Sequence, residues 1–150
     1  ISTFGKTVLR RDHFIDRKVL GRKVFSDSRQ LKKLSGIIHP LVYKEIRERI
    51  AKIKRSDPSS VVILDVPLLL ESGGQKHIDK LIVVTAPRGV QLKRACGKFG
   101  LNRSDVLRRI KAQMPLKDKV KAADFVIDNG GSIISTAKQS RAIWKKLVGA

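Results

Sequence analysis

Three short apolar segments, separated by longer stretches of mixed character, most constrain how this chain can fold. They are VVILDV (61–66), KLIVVTA (80–86) and DFVID (124–128). Each is rich in β-branched residues and apolar at consecutive positions, which is typical of strands covered on both faces in a parallel sheet. The stretches between them have helical patterns, and this alternation predicts an α/β fold.

The first 55 residues are predicted to be helical. Asp16 is expected to cap the helix RKVLGRKVF, and Ser28 is expected to cap RQLKKLSGII. The His39-Pro40 step should interrupt the helix, because the residue before a proline avoids the helical region. The stretch LVYKEIRERIAKIKR (41–55) then predicts an amphipathic helix.

Four more helices are predicted in the second half of the chain. The first begins after Pro87, at a position where helices tolerate proline. The sequences are RGVQLKRACGK, SDVLRRIKAQM (104–114), PLKDKVKAA and IISTAKQSRAIWKKLV. Trp144, in the last helix, is expected to be a core residue.

The charge of the chain is strongly unbalanced, with 33 Lys and Arg against 13 Asp and Glu and a net charge of +20. Such a surface attracts polyanions, which include nucleic acid, anionic membranes and phosphate-rich small molecules. The charges are scattered, with no run of more than two adjacent basic residues. A nucleic-acid-binding tail would be denser.

The cysteine count and the apolar runs bear on the compartment. A single cysteine, Cys96, excludes an internal disulfide and any zinc site built from a cysteine cluster. The longest apolar stretch, residues 61–70, is too short to span a bilayer, which needs about 20 residues. We therefore expect a reducing, cytoplasmic location and no membrane partner.

Gly5-Lys6-Thr7 matches the last three residues of the phosphate-binding loop G-x-x-x-x-G-K-[ST]. Such a loop must follow a strand and begin a helix, so that backbone N–H groups point at the phosphates. No strand precedes Gly5 in this sequence, and RRDHF follows it instead of a long helix. The match is therefore interpreted as a coincidence.

Several stretches together resemble the dephospho-CoA kinase family, P-loop kinases of the nucleoside-monophosphate-kinase type. They are FG, IDRKVLGRKVF, IIHPLV, DVPLLLESG, QLKRACGKFG, RRIKAQMPLKDK and ADFVIDNGGS. These pieces extend over nearly the whole chain, in the order and at the spacings usual for the family. Each piece is weak alone, but the set is specific.

The resemblance implies a three-layer P-loop kinase fold with a parallel sheet, a helical substrate-binding insert and a lid. Residues 1–150 would form one partial domain, with the insert at 1–57, the sheet core at 58–93 and 121–150, and the lid at 94–120. In the family FG lies downstream of the nucleotide loop. The P-loop, the first two strands and the aspartate general base are therefore expected to precede Ile1, so that the missing segment is itself a required partner.

The implied reaction is transfer of the γ-phosphoryl group of ATP to the 3′-hydroxyl of dephospho-CoA, with Mg²⁺, as the last step of coenzyme A biosynthesis. Both substrates are polyanions, and the transition state is stabilised by positioned cations and the metal ion. The positive charge of the chain suits that chemistry. Without the phosphate loop, residues 1–150 are expected to be inactive alone.

By the same resemblance, lid cations would contact the phosphates of ATP. The cations in this region are Arg94, Lys98, Arg103, Arg108 and Arg109. The catalytic candidates among them are Arg94, which matches the family's Q-x-x-R, with Lys98 and Arg109. Lys98 stands where the family commonly has arginine, and a lysine lacks the bidentate fork. The alternative for each cation is a place on a solvated helix face.

Asp65 and Glu71 flank the turn that follows the first apolar segment, where open α/β sheets bind ligands. Asp65 is a candidate to hold Mg²⁺ through water. Glu71 is a candidate substrate-binding residue, with a cap on the following turn as the structural alternative.

Arg17, His39 and Asn129 complete the candidate residues. Arg17 could bind a substrate phosphate or pair with Asp16 and nearby carbonyls. His39 is a candidate substrate-binding residue, or a structural turn residue before proline. Asn129 lies where the family has its adenine-binding loop, although NGG equally suits a turn.

A second function from another class is consistent with the charge: a degenerate kinase fold that acts as a basic RNA-binding or ribonucleoprotein subunit. The aromatic residues suited to base stacking are few, with five Phe, one Tyr and one Trp. The match of the lid and of ADFVIDNGGS to the kinase family favours the enzyme.

Overall fold

The computed structural model describes residues 2–149, which contain six α-helices and two β-strands. The chain divides into two compact units between Pro58 and Ser59. The first contains α1 (Arg17–Ser26) and α2 (Ser28–Ser56). The second contains β1 (Ile82–Thr85), α3 (Arg88–Phe99), α4 (Arg103–Lys111), α5 (Leu116–Ala122), β2 (Phe125–Asp128) and α6 (Ile133–Val148).

A small hydrophobic core holds the first unit together. Phe4, Val8 and Val24 are buried, and half-buried apolar side chains of α1 and α2 pack against them. Asp16 caps the start of α1, because its side chain accepts hydrogen bonds from the N–H groups of Lys18 and Val19. This confirms the predicted cap.

Helix α2 runs without interruption for 29 residues, with Pro40 inside it. The predicted break at His39-Pro40 is therefore wrong. Proline lacks an N–H group and so removes one hydrogen bond, to the carbonyl of Gly36, while the turns on both sides keep theirs. The bias of the residue before proline is too small to end so long a helix.

The start of α2 differs by one residue from the prediction. The cap is Asp27, whose carboxylate accepts a hydrogen bond from the N–H of Arg29, whereas Ser28 is the first helical residue. Although α2 is long, it carries charged residues throughout. No helix within residues 2–149 combines the length and the apolar character needed to cross a membrane.

The two strands of the second unit are parallel, with Ile82 opposite Phe125 and Thr85 opposite Asp128. This confirms a parallel sheet formed by the second and third apolar segments. Helix α5 packs against β1 and α6 packs against β2. Because the strands are parallel, both begin at one edge of the sheet and both end at the opposite edge.

The first apolar segment, residues 61–66, forms no strand, so that prediction is wrong. A strand is defined by hydrogen bonds to a neighbour, and among residues 2–149 the sheet contains β1 and β2 alone. Val61, Val62 and Ile63 are exposed. Apolar, β-branched composition favours an extended backbone but does not supply a partner.

All four helices predicted in the second unit are present, but α4 ends at Lys111, three residues before the end of the predicted segment 104–114. Helix α3 ends at Phe99, the next residue Gly100 takes a left-handed φ of 59°, and Asn102 caps α4. The prediction for Trp144 is wrong, because its side chain is 48% exposed whereas Ile143 is buried. Adjacent helical residues point about 100° apart, so only one of the two can face the sheet.

Gly5-Lys6-Thr7 is not followed directly by a long helix. Lys6–Val8 form a single 3-10 turn, and Val8 belongs to the small core. The backbone continues extended at Leu9. The local structure thus differs from the loop-to-helix arrangement that presents backbone N–H groups to a phosphate.

Candidate active site

The carboxyl ends of β1 and β2 are joined by hydrogen bonds. The N–H of Asn129, one residue past β2, donates to the carbonyl of Thr85 at 2.8 Å. The Thr85 hydroxyl donates to the carbonyl of Ile127 at 3.3 Å. The two segments that leave the sheet therefore remain side by side, at the edge where open α/β sheets bind ligands.

Pro87 and Gly130 approach each other closely at this edge. A Cβ atom on Gly130 would lie 2.5 Å from Cδ of Pro87 and 3.0 Å from Oδ1 of Asp128. That same Oδ1 accepts a hydrogen bond of 2.7 Å from the N–H of Gly130. Glycine is required at position 130 because there is no room for a side chain, and its φ is one that other residues also adopt.

Helix α3 directs two polar side chains back to the ends of the strands. Gln91 donates through Nε2 to the carbonyl of Ala86 at 2.7 Å. Three residues later, the Nη1 of Arg94 donates to the carbonyl of Asn129 at 2.7 Å. The structure thus brings together two of the residues singled out by sequence, Arg94 and Asn129, which are 35 positions apart.

Helix α6 supports the loop after β2 from its other side. The hydroxyl of Thr136 donates to Oδ1 of Asn129 at 3.1 Å. Gln139 accepts from the N–H of Asp128 and donates to its carbonyl, both at 2.9 Å. Sequence reasoning missed Gln91, Thr136 and Gln139; Gln91 could have been found, since it opens the QLKR motif, whereas the other two resemble ordinary helical polar residues.

The other cations that the sequence analysis considered lie farther along α3 and on α4. Lys98 is four residues after Arg94, hence on the same side of α3, and its Nζ lies 5.5 Å from the centroid of the Phe99 ring. Arg108 forms an ion pair with Asp105, and Arg109 is half-buried. Arg103, the first residue of α4, is exposed.

Glu71 is engaged with the segment that follows α4. Its Oε1 accepts a hydrogen bond from the N–H of Met114 at 3.0 Å and lies 2.6 Å from Nζ of Lys119. Burial raises the pKa of Glu71, but the hydrogen bonds from Lys119 and Met114 outweigh it, so the pKa is below its ordinary value. The side chain is thus a charged link within the second unit.

Asp65 is exposed, at the end of the apolar segment that forms no strand. Among residues 2–149 there is no group of three or more His, Cys, Asp or Glu side chains suited to hold a metal ion. Mg²⁺ usually keeps several waters and takes one or two carboxylates together with substrate phosphates. A single exposed carboxylate fits that mode and does not fit an all-protein site.

Arg17 and His39 belong to the first unit. Arg17 is exposed at the first position of α1. The carboxylate of Asp16 is used by the helix cap, and the hydrogen bond from Val19 is the largest cause that lowers its pKa. His39 is half-buried within α2 and so is not a turn residue, which corrects the structural alternative suggested by the sequence.

A family model and curated relatives both match most of the chain. The family model described as dephospho-CoA kinase matches residues 1–135. The curated dephospho-CoA kinase of Carboxydothermus hydrogenoformans is 47% identical over 146 residues, which cover 97% of this chain and 70% of the relative. That of Aquifex aeolicus is 47% identical over 147 residues, which cover 98% of this chain and 73% of the relative.

Two solved structures are also similar to this chain. A crystal structure of a Thermus thermophilus protein matches with a TM-score of 0.73 and 33% identity, covering 94% of this chain and 71% of that one. The dephospho-CoA kinase from Campylobacter jejuni matches with a TM-score of 0.62 and 27% identity, covering 99% and 73%.

Proposed function

Because the chain belongs to the dephospho-CoA kinase family, we propose that the protein transfers the γ-phosphoryl group of ATP to the 3′-hydroxyl of dephospho-CoA. The hydroxyl oxygen forms a bond to the γ-phosphorus, the bond to the β,γ-bridging oxygen breaks, ADP leaves, and the hydroxyl proton goes to a base. Catalysis of this kind depends on positioning and on electrostatic stabilisation of the phosphoryl oxygens.

The observation that carries the proposal for this chain is the 2.7 Å hydrogen bond from Arg94 to the carbonyl of Asn129. It holds a guanidinium beside the loop after β2, at the carboxyl edge of a parallel sheet. A guanidinium has five N–H donors, and this contact uses one nitrogen, so donors remain for phosphate oxygens. We assign Arg94 to the phosphates of ATP and the Asn129 loop to its adenine.

Two further cations and one carboxylate complete the ATP side. We propose that residues 94–120 form a lid, in which Lys98 and Arg109 add positive charge near the phosphates. Asp65 would hold Mg²⁺ through a water molecule. When bound with ATP, Mg²⁺ supplies neutralisation of charge on the β- and γ-phosphates.

The acceptor side lies with residues 1–57, which we propose to be the substrate-binding region. Arg17 is exposed at the start of α1, where its charge is free of the Asp16 cap and suited to a phosphate of dephospho-CoA. His39 would contribute from α2. For Glu71 the contacts to Lys119 and Met114 support a structural role instead of direct substrate contact.

The test uses the complete gene product, since these 150 residues span 70–73% of the two relatives described above. ATP, Mg²⁺ and dephospho-CoA should yield ADP and a product heavier by one phosphate in mass spectrometry. Coenzyme A, whose 3′-hydroxyl is already phosphorylated, is the matched control acceptor and should give no transfer. Equal ADP release with both acceptors, or none with either, would refute the assignment.

A further inference from the structure

We propose that the Glu71–Lys119 ion pair is the fixed anchor of segment 94–120 and positions that segment for ATP without touching substrate. The proposal rests on the proposed function for the identity of the ligand. Of the ion pairs in the described part of the chain, this is the one in which both side chains are strongly shielded, with 13% of Lys119 and 19% of Glu71 exposed. Ion pairs at such sites are far less screened by water than surface pairs.

A single carboxylate oxygen of Glu71 contacts both the segment after α4 and helix α5. Oε1 of Glu71 receives the N–H of Met114, three residues past the end of α4, and lies 2.6 Å from Nζ of Lys119 on α5. Pro115 stands between these two contacts and caps α5. The junction of α4 and α5 is therefore tied to the turn that follows residues 61–66.

The other carboxylate oxygen makes the pair asymmetric. Oε2 of Glu71 is shielded from solvent and has no hydrogen-bond partner in the structure. Loss of Lys119 would leave a shielded carboxylate with an unmatched charge, which is costly. Loss of charge at Glu71 would leave a lysine whose long side chain can turn its ammonium group toward water. We therefore expect Lys119→Met to be more damaging than Glu71→Gln.

The anchor lies next to α4, which carries Arg103, Arg108 and Arg109. A lid that closes over ATP must be attached at a fixed point of the fold. Its cations stabilise the phosphates only if they reach them with small positional error. We propose that the ion pair is this fixed point. Its role is positioning, because Oε1 of Glu71 is already occupied by Met114 and Lys119.

The first arm measures amide hydrogen exchange in the complete protein. In Lys119→Met, exchange of the Met114 amide should accelerate by about tenfold or more, as expected for a local opening that loses its closing contact. Lys117→Met makes the same change at an exposed position two residues earlier on α5 and should alter that rate by less than about twofold. Equal rates in the two variants would overturn the anchor.

If Lys119→Met does not fold, Glu71→Gln replaces it in this arm. The amide oxygen of Gln can still accept from Met114, so a smaller acceleration is expected, about threefold, because the ion pair alone is lost. No acceleration in Glu71→Gln relative to Lys117→Met would then count against the anchor.

The second arm measures the dissociation constant for ATP by calorimetry without acceptor, below the unfolding temperature of every variant. It should rise at least about fivefold in Lys119→Met, stay within about twofold in Lys117→Met, and recover in Lys119→Arg, which keeps the charge. A purely structural role would leave ATP affinity of the folded protein unchanged, and that result would refute positioning. Wild type that binds ATP but does not phosphorylate dephospho-CoA would refute the proposed function alone. The anchor would still be judged by the ratio of the dissociation constants for ATP of Lys119→Met and wild type.

Discussion

The two ends of the parallel sheet are joined by different chemistry. At the amino end, Asp124 accepts a hydrogen bond of 2.8 Å from the N–H of Leu81 through Oδ2 and lies 3.1 Å from Nζ of Lys80 through Oδ1. Both carboxylate oxygens are therefore used by the protein itself. Such an arrangement aligns the start of β2 with the start of β1.

At the carboxyl end, the contacts between the strands are made by main-chain carbonyls and by close packing. Arg94 donates to the carbonyl of Asn129, and Gly130 lies against Pro87. A neutral carbonyl accepts a hydrogen bond from one nitrogen of a guanidinium but does not neutralise its positive charge. The difference indicates that the amino end is complete as a structural element, and it supports our proposal that the cation at the carboxyl end serves an anionic ligand.

Gly130→Ala should have the largest effect on this contrast. Its new Cβ would overlap Pro87, and relief of that overlap must shift the loop after β2, with an expected loss of about 1–3 kcal/mol of unfolding free energy. The affinity for ATP should also fall, because the same shift moves the carbonyl that holds Arg94. Urea unfolding and calorimetric titration with ATP measure the two effects.

Gly131→Ala is the matched control for that substitution. A Cβ at Gly131 has nothing within 4 Å, so the change in unfolding free energy should stay within about 0.5 kcal/mol. If the Ala variants at 130 and 131 were equally stable, the tight packing at the carboxyl end would not constrain the loop, and the contrast between the two ends would lose its basis.

Arg94→Met should affect catalysis more than stability. Loss of the guanidinium that we assign to the phosphates of ATP should lower kcat/KM for ATP by about tenfold to a hundredfold, equivalent to about 1.4–2.7 kcal/mol of transition-state stabilisation. The unfolding free energy should change by less than about 1 kcal/mol, since one exposed hydrogen bond to a carbonyl is lost.

Lys93→Met provides the comparison on the same helix. Lys93 is exposed and adjacent to Arg94, so it tests whether any loss of positive charge on α3 weakens ATP binding. We expect kcat/KM within about twofold of wild type. Equal losses in the two variants would mean that the net charge of α3 matters and that the contact of Arg94 with the strand-end loop does not.

The strands show how far sequence alone could predict the fold. VVILDV and KLIVVTA each contain four β-branched residues, yet β1 lies within the second segment and the first joins no sheet. Local preference for extended backbone is readable from β-branched residues. Pairing depends on which segments come together in space, and that information is not local.

The candidate site shows the same limit. Arg94 and Asn129 were identified because each lies in a motif, and Asp16 was identified as a cap by its position before a helical pattern. The contact between Gly130 and Pro87 and the pair formed by Glu71 and Lys119 join residues 43 or more positions apart. No spacing rule in a single sequence indicates such contacts, because they depend on how the elements pack.

Asn129→Ala separates the main-chain contact of this residue from its side-chain contact. The bond from Arg94 goes to the carbonyl and survives, whereas the bond from Thr136 to Oδ1 is lost. We expect a decrease of about 0.5–1.5 kcal/mol in unfolding free energy and a smaller effect on ATP affinity than in Arg94→Met. A larger effect on ATP than in Arg94→Met would assign direct ligand contact to the Asn129 amide instead.

Asp124→Asn should have the smallest effect, and one that depends on pH. The hydrogen bond from Leu81, followed by that from Lys80, lowers the pKa of Asp124 below its ordinary value. A carboxylate with a lowered folded-state pKa stabilises the fold above its unfolded pKa of about 3.9 and loses that contribution as the pH falls through the folded value. Asn cannot titrate, so wild type should be slightly more stable at neutral pH, and the difference should shrink as the pH falls below about 3.9.

Thermal unfolding of wild type and Asp124→Asn between pH 7 and pH 3 measures that difference, with Lys80→Met as the companion variant. Lys80→Met should shift stability less than Asp124→Asn, because it leaves the hydrogen bond from the N–H of Leu81 to the Asp124 carboxylate in place. A difference that persists unchanged to pH 3 would show that the Asp124 charge does not join the strands. The amino end would then be held by backbone pairing alone, and the chemical contrast between the two ends of the sheet would not hold.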